Sequence, residues 1–371
     1  MSSTIEEQIK ALEDEILKTQ KNKKTEYHIG KLKAKIARLK EEQEKRRSSG
    51  GKAGLAYAVR KSGNATVALV GFPSVGKSTI LNRLTEAKSE VGVYDFTTLD
   101  VVPGVMEYKF AKIQVLDLPG LIKDASRGKG RGREVLSVVR SADLILFVID
   151  AFDTNIHILI RELEAVGIRI NTRPADVVIT KTEMGGVEVR STLQMTKMDE
   201  EMARNVVSEY GYINANLVIR DDLDVDQLID VLTGNRVYAK AMVVINKIDL
   251  VRDKEYMKGL RQKFKGYDVV FISAEKDVGI IELKETIYQN LDLISVYLKP
   301  QGKEADMEVP LIIRNGANVG DVCDTLHRSI RPNFRYAVIW GRSAKFPGQT
   351  VGLEHVLKDG DILSVIKKRG G

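Results

Sequence analysis

The sequence predicts an α/β fold whose main domain is built around a phosphate-binding loop. Two patterned segments support this: a buried apolar run at residues 66–70 indicates a strand, and residues 77–84 follow a helical pattern. The segment between them, residues 71–78, has the pattern G-x-x-x-x-G-K-S. A strand, loop and helix in this order place phosphate groups at a helix N-terminus, where unpaired N–H groups and the helix dipole favour anions.

Each residue type in this loop has a predicted role. Gly71 and Gly76 allow a tight turn and a close approach of the backbone to phosphate. Lys77 reaches the outer phosphates, and the Ser78 hydroxyl coordinates Mg²⁺. The residues predicted to bind nucleotide here are Gly71, Phe72, Pro73, Ser74, Val75, Gly76, Lys77, Ser78 and Thr79.

Length and composition limit the class of protein. The 371 residues exceed one ordinary domain, and the 43% apolar content is typical of a soluble globular chain. The single cysteine, Cys323, excludes an internal disulfide framework and fits a reducing cytoplasm. Neither a signal-peptide core nor a long uncharged apolar run is found, so we expect no membrane association. The net charge of +7 suggests a polyanionic partner.

Residues 1–50 are predicted to form a basic helical hairpin. Thr4 and Glu7 have capping-box spacing, and residues 48–51 resemble a linker. Between Lys18 and Lys40 there are nine Lys or Arg residues and one acid, Glu26. This basic face is either a solvated helix surface or a contact for RNA phosphates. The two apolar stripes comprise Ile5, Ile9, Leu12 and Ile16, and then Leu32, Ile36 and Leu39.

Alternating strands and helices over residues 51–170 predict the first part of a parallel sheet. A strand at 112–117 ends in a D-x-x-G motif, in which Asp117 holds Mg²⁺ and the Gly120 N–H senses the γ-phosphate. Phe96, Thr97 and Thr98 lie between the two motifs, where a Thr can close over Mg²⁺ while the γ-phosphate is present. The predicted metal ligands are Ser78, Thr98 and Asp117, and the predicted catalytic residues are Lys77, Thr98 and Gly120.

A second part of the same domain is predicted at residues 238–295. The buried strand at 241–246 ends in N-K-x-D, which comprises Asn246, Lys247 and Asp249. The Asp249 carboxylate can accept hydrogen bonds from guanine N1–H and its exocyclic amine, so GTP is favoured over ATP. After the strand at 269–273, Ser273 and the Ala274 N–H are assigned to the base, with the N–H donating to guanine O6.

Two further segments complete the predicted organisation. Residues 171–237 break the sheet alternation and contain strand patterns at 177–182 and 187–190, a Gly185-Gly186 turn and a helix near 199–210. They indicate an α+β insertion. Residues 296–371 are the C-terminal segment, in which residues 309–368 follow a strand–helix–strand–strand order with the helix at 319–330. The simplest solution is a small mixed sheet of β-grasp type.

In combination, these motifs resemble the Obg-type GTPases, and the whole chain resembles their developmentally regulated GTP-binding protein branch. The shared segments are residues 71–78, 96–99, 117–120, 128–132 and 246–249. The resemblance implies a GTPase domain with an inserted domain, an N-terminal hairpin and a C-terminal TGS domain of β-grasp form. It also implies GTP or GDP and Mg²⁺ as cofactors, and a cytoplasmic switch that contacts ribosomes or RNA in translation. Eukaryotic members have a stabilising partner protein, and we expect a monomeric chain.

Two positions set expectations about the reaction. Leu121 follows the D-x-x-G motif where Ras-like proteins have Gln, so no side chain there can orient water, and slow hydrolysis of GTP to GDP and phosphate is expected. Relatives that use K⁺ hold it partly through a loop Asn, and this chain has Ser74 there. The alternative is an RNA- or protein-binding scaffold with a mainly structural nucleotide site.

Overall fold

The computed structural model describes residues 4–20, 22, 25–48, 63–85, 102–118 and 138–368. These residues confirm the predicted α/β fold class. The helices are α1 (Ile5–Lys18), α2 (Glu26–Ser48), α3 (Lys77–Leu84), α4 (Ile156–Ala165), α5 (Glu200–Glu209), α6 (Val225–Thr233), a 3₁₀ helix (Ile248–Leu250), α7 (Lys254–Lys263), α8 (Ile280–Asn290) and α9 (Val319–Leu326). The strands are β1 (Ala65–Val70), β2 (Val102–Tyr108), β3 (Ala111–Asp117), β4 (Leu144–Asp150), β5 (Ile168–Ile170), β6 (Val177–Lys181), β7 (Val187–Ser191), β8 (Ala215–Ile219), β9 (Val237–Asn246), β10 (Val269–Phe271), β11 (Leu293–Leu298), β12 (Leu311–Arg314), β13 (Phe334–Trp340), β14 (Gln349–Val351) and β15 (Asp361–Lys367).

The chain divides into two compact units. One unit comprises Met1–Tyr57 and Leu163–Tyr238, and the other comprises Ala58–Glu162 and Ala239–Gly371. The hairpin α1–α2 therefore belongs with the inserted segment, whereas the main sheet and the C-terminal sheet share the second unit. The five segment limits given above stay predictions.

Six strands of the main sheet run in the order β10-β9-β4-β1-β3-β2. Neighbouring strands are parallel, except that β2 and β3 are antiparallel. Every residue of β1 is buried, which explains its continuous apolar pattern, because parallel strands are normally covered on both faces. The parallel arrangement brings the carboxyl ends of β1, β3, β4 and β9 to one edge, where Val70, Asp117, Asp150 and Asn246 lie.

Helix α3 is held firmly against this sheet. Its apolar residues Ile80, Leu81 and Leu84 are buried in the same core cluster as Val67 and Leu69 of β1. Removing such side chains from water stabilises a core by about 1.5–3 kcal/mol each. The segment between β1 and α3 is therefore anchored at both ends.

In the first unit, α2 packs against α1 and against the inserted domain. Ala34 belongs to the core cluster of the inserted domain, together with Met202 and Val206 of α5. Gly30 allows this close approach, because a Cβ at this position would lie 2.7 Å from Met202 Sδ. The hairpin therefore shares a core with the insertion rather than standing alone.

The inserted domain has a three-stranded sheet in the order β6-β8-β7. Strand β8 is antiparallel to β6 and parallel to β7. The turn before β7 has Gly185 and Gly186 at φ values of +107° and +73°, which agrees with the predicted turn. Strand β8 and helix α6 complete the domain and were not recognised in the sequence.

The C-terminal sheet runs in the order β12-β11-β15-β13-β14, with β11 parallel to β15. Strand β11 spans the predicted limit at residue 296, because it follows α8 directly without a turn signal in the sequence. The predicted helix at 319–330 is too long: α9 ends at Leu326, because His327 is extended, with φ −171° and ψ 137°. No helix in the described ranges combines the length and the apolar character needed to span a membrane.

The C-terminal sheet is joined to the main sheet within the second unit. Ile312 of β12 is buried in the core cluster that also contains Ile287 of α8. The Asn64 Nδ2 donates to the Ile312 carbonyl at 2.8 Å, and Arg314 forms an ion pair with Asp143. The two sheets therefore share apolar packing as well as polar contacts.

Candidate functional site

The loop at residues 71–76 has two positions at which only glycine fits. A Cβ on Gly71 would lie 2.3 Å from the Val148 carbonyl oxygen. Gly76 has φ +94°, and its Cβ would lie 2.4 Å from Asn246 Nδ2. Side chains at either position would push the loop away from the sheet edge, so packing requires both glycines, and the left-handed backbone requires Gly76 as well.

Lys77, the first residue of α3, lies beneath the loop. Its Nζ donates to the carbonyl oxygens of Gly71 at 3.1 Å and Phe72 at 3.0 Å, and the residue is only 8% exposed. Burial lowers the pKa of Lys77, and the negative charge of Asp117 partly opposes this shift. The structure therefore places a cation where the loop surrounds it, as a phosphate-binding role requires.

Ser78 and Asp117, two of the three predicted metal ligands, are in direct contact. The Ser78 Oγ donates to Asp117 Oδ2 at 2.6 Å. Asp117 is only 5% exposed, and within the described ranges its buried Oδ1 has no hydrogen-bond partner. A buried carboxylate oxygen without a donor is costly unless a cation or donor approaches it. These oxygens suit Mg²⁺, which is usually held by one or two protein groups plus phosphates and water.

Asn246 connects the phosphate loop to the segment that follows β10. Its Nδ2 donates to the Val75 carbonyl at 2.9 Å, and its Oδ1 accepts from the Ala274 N–H at 3.0 Å. Asn246 is only 3% exposed, so both contacts are shielded from water. The Ala274 N–H was predicted to donate to guanine O6, and this N–H is already used by Asn246. It reaches a base only if Asn246 shares or releases it.

The remaining residues of N-K-x-D lie beside this contact. Lys247 has φ +64°, and its Nζ forms an ion pair with Asp150 Oδ2 at 2.7 Å. This ion pair ties the start of the 3₁₀ helix to the end of β4. Asp249 lies within the 3₁₀ helix and is exposed, so its carboxylate is available to a ligand.

Arg83 contacts the same region, and the sequence did not suggest it. Its Nε donates to the Ala274 carbonyl at 2.9 Å, and its Nη2 donates to the Glu275 carbonyl at 3.0 Å. Ser273 Oγ accepts from the Lys276 N–H at 3.2 Å within the same segment. Basic residues are common near helix ends, so an arginine at this position does not by itself indicate a contact. The contact joins residues 191 positions apart, and no local pattern reveals it.

Family models match most of the chain. A model described as "50S ribosome-binding GTPase" matches residues 66–181. A second, described as the C-terminal region of that GTPase domain, matches residues 184–293, and a TGS domain model matches residues 294–367.

Individual relatives match almost the whole chain. A GTP-binding protein of Methanocaldococcus jannaschii is 54% identical over 368 residues, which is 98% of this chain and 93% of that protein. The developmentally regulated GTP-binding protein 2 homologue of Dictyostelium discoideum is 44% identical over 364 residues, covering 98% of this chain and 99% of that protein. The chain belongs to the developmentally regulated GTP-binding protein family. Among solved structures, the YchF GTPase of Schizosaccharomyces pombe has 19% identity and a TM-score of 0.43, and the match covers 84% of this chain and 100% of that one.

Membership of the developmentally regulated GTP-binding protein family makes this chain a GTP-binding protein with a GTPase domain and a TGS domain. The roles of single residues stay predictions. Phe72 packs partly buried against the core, whereas Pro73, Ser74 and Thr79 are exposed. Several residues that the sequence assigns to the nucleotide site or to the shared motifs lie outside the described ranges, namely Phe96, Thr97, Thr98, Gly120, Leu121 and residues 128–132.

Proposed function

We propose that this protein is a slow, Mg²⁺-dependent GTP hydrolase that acts as a nucleotide-controlled switch on ribosomes or RNA. The observation that carries the hydrolase part is the buried Asp117 Oδ1, which lacks a hydrogen-bond donor among the described residues and lies beside the Ser78–Asp117 contact. In a nucleotide site with only a structural role, a buried carboxylate oxygen without a hydrogen-bond donor would destabilise the fold and bring no benefit.

In this proposal, Ser78, Thr98 and Asp117 hold Mg²⁺, which when bound neutralises charge on the β- and γ-phosphates. Lys77 leaves the carbonyls of Gly71 and Phe72 to donate to phosphate oxygens, and the loop N–H groups bind the same anion. Gly120 contributes its N–H to the γ-phosphate. Asn246 fixes the position of the phosphate loop relative to the base-binding segment through its hydrogen bonds to Val75 and Ala274.

Base selection in this proposal rests on Asp249, with Lys247, Ser273 and Ala274 around it. The exposed Asp249 carboxylate accepts two hydrogen bonds from guanine, and adenine offers no matching donor pair. An adenine base would leave the carboxylate unpaired, which disfavours ATP.

The slow rate follows from Leu121. An apolar side chain after D-x-x-G cannot orient the attacking water, so the unassisted rate is on the order of 10⁻⁴ to 10⁻³ s⁻¹. Leu121→Ala should leave the single-turnover rate within about threefold of wild type, because no catalytic group is removed. A loss of two orders of magnitude would show that Leu121 positions the water through its packing.

Ribosome or RNA association is supported by the description of the matching GTPase model and by the net charge of +7. Within the hairpin, Lys31 and Lys35 are exposed one turn apart on α2, which is a spacing that can follow nucleic-acid phosphates. In this role the protein acts in the cytoplasm. K⁺ dependence and a stabilising protein partner are further parts of the proposal that biochemical assays can examine.

The test is GTP turnover measured with and without ribosomes, over a Mg²⁺ titration, with Lys77→Ala as the variant that should not bind GTP. We expect slow Mg²⁺-dependent turnover that ribosomes accelerate. Asp117→Asn should weaken Mg²⁺ dependence and lower turnover at least tenfold, because the charge facing the metal is removed. Tight GTP binding without any phosphate release, even with ribosomes, would favour the scaffold alternative.

A further inference from the structure

The main chain of Ala274 is held at both its N–H and its carbonyl group. Its N–H donates to Asn246 Oδ1 at 3.0 Å, and its carbonyl accepts from Arg83 Nε at 2.9 Å. The same guanidinium also donates through Nη2 to the Glu275 carbonyl at 3.0 Å. Arg83 thus binds two consecutive carbonyls of residues 273–275, which we call the base segment.

The two contacts on Ala274 lead back to the phosphate loop by separate routes. Asn246 is bonded to the Val75 carbonyl inside the loop, at 2.9 Å. Arg83 lies on α3, the helix that begins at Lys77, and this helix is anchored in the core through Ile80. The phosphate loop and the base segment are therefore joined twice, once through β9 and once through α3.

The shape of the base segment is set locally, without Arg83. Ser273 and Val278 exchange backbone hydrogen bonds of 3.0 Å in both directions. Gly279 has φ +75°, and a Cβ there would lie 2.4 Å from the Phe271 carbonyl oxygen. What Arg83 adds is the position of this preformed segment relative to the helix that follows the phosphate loop.

Arginine is suited to this contact because its planar guanidinium presents several donors in a fixed fork. A lysine ammonium can also donate to two carbonyls, as Lys77 does, but its three donors rotate freely, so it would not hold both carbonyls in the planar geometry that a guanidinium fixes. The guanidinium is near solvent, so each bond contributes modestly, and the two bonds together fix the position of the segment relative to α3.

We propose that Arg83 is a positioning residue that sets how long guanine nucleotides stay bound. The inference rests on the proposed function, in which the phosphate loop and the base segment bind opposite ends of one nucleotide. A ligand held at both ends dissociates slowly, because either end rebinds while the other is still attached. Loosening the base segment relative to α3 lowers this rebinding and speeds release of the whole nucleotide.

The experiment measures dissociation of a fluorescent GDP from the full-length protein, for wild type, Arg83→Ala, Arg83→Lys and Asn82→Ala. Asn82 is the matched control, because it is exposed on the same helix. We expect release about tenfold faster for Arg83→Ala, an effect equal to the loss of one or two modest hydrogen bonds. Arg83→Lys should lie between Arg83→Ala and wild type, and Asn82→Ala should match wild type within twofold.

A second measurement separates positioning from a general loss of structure. The affinity for inorganic tripolyphosphate, measured by its competition with fluorescent GDP, should be unchanged within twofold in Arg83→Ala, because tripolyphosphate reaches only the phosphate loop. If GDP release is unchanged in Arg83→Ala, or if tripolyphosphate binding weakens equally, the inference is overturned. Full rescue by Arg83→Lys would instead indicate a charge effect at the helix C-terminus and would also overturn it. If the wild type does not bind guanine nucleotides, the proposed function fails before the role of Arg83 is reached.

Discussion

Replacing Gly76 with alanine perturbs the point where the phosphate loop meets Asn246. Two separate costs arise: Gly76 has φ +94°, and the added Cβ would lie 2.4 Å from Asn246 Nδ2. A left-handed backbone costs a non-glycine residue about 1–2 kcal/mol. Displacing the Asn246 amide also weakens its bonds to Val75 and Ala274, each with a net contribution of about 0.5–1.5 kcal/mol. The sum for Gly76→Ala is about 2–5 kcal/mol.

Gly266→Ala is the matched control for this prediction. Gly266 lies in the same compact unit with φ +104°, and no described heavy atom lies within 4 Å of the position its Cβ would take. It therefore experiences the backbone cost of about 1–2 kcal/mol without the steric clash. Any excess destabilisation in Gly76→Ala then belongs to the Asn246 contacts.

The assay combines denaturant unfolding with GTP affinity measured by calorimetry. We expect Gly76→Ala to lose more stability than Gly266→Ala and to bind GTP at least tenfold more weakly, because the loop and the base segment both depend on Asn246. Gly266→Ala should bind GTP within twofold of wild type. Equal stability losses and equal GTP affinities in the two variants would refute the role assigned to Asn246.

Three further outcomes are expected. Asp249→Asn should shift nucleotide preference from guanine toward xanthine in competition binding, because an amide presents a donor where the carboxylate accepts, and an unchanged preference would contradict the guanine-reading role. The double substitution Lys31→Gln and Lys35→Gln should weaken RNA binding and lower the slope of log affinity against log salt by roughly 0.7–0.9 for each phosphate that these lysines neutralise. The control Lys33→Gln removes an ion pair to the inserted domain and should leave that slope unchanged. Hydrogen bonds from Lys109 and Tyr108 lower the pKa of Glu285 from 4.5 to about 2, so this carboxylate stabilises the fold above about pH 4.5 and the contribution disappears as the pH falls toward 2. A carboxyl carbon NMR titration of Glu285 with a midpoint near 4.5 would be inconsistent with these hydrogen bonds.

The elements nearest the nucleotide site were predictable because their signals are local. The strand before the loop begins at Ala65, one residue before the prediction, and α3 has the predicted limits of 77–84. A buried parallel strand is recognisable as an apolar run, and a glycine-rich turn before a helix is a short pattern. The sequence assigned both Ser78 and Asp117 to Mg²⁺, and their contact agrees with this, because β1 and β3 are parallel neighbours and the loop after β1 lies at the same edge as the end of β3.

Elements without local signals were missed. Strand β11 follows α8 with no glycine or proline between them, so its start could not be seen in the sequence. Strand β8 and helix α6 lie in an insertion whose alternation is irregular, and their identity depends on pairing with β6 and β7. The packing of Ala34 of α2 into the core of the inserted domain was also invisible, because the partner residues lie far along the chain.

The amino-acid sequence by itself determined the order of motifs, the phosphate loop and the expected chemistry of each loop residue, because these depend on residue type and short spacing. Tertiary structure alone decided which distant groups meet. It placed Asn246 between Val75 and Ala274, and it brought Arg83 to the carbonyls of the base segment. Such contacts are made by common residue types, and only folding of the whole sheet brings them within hydrogen-bonding distance.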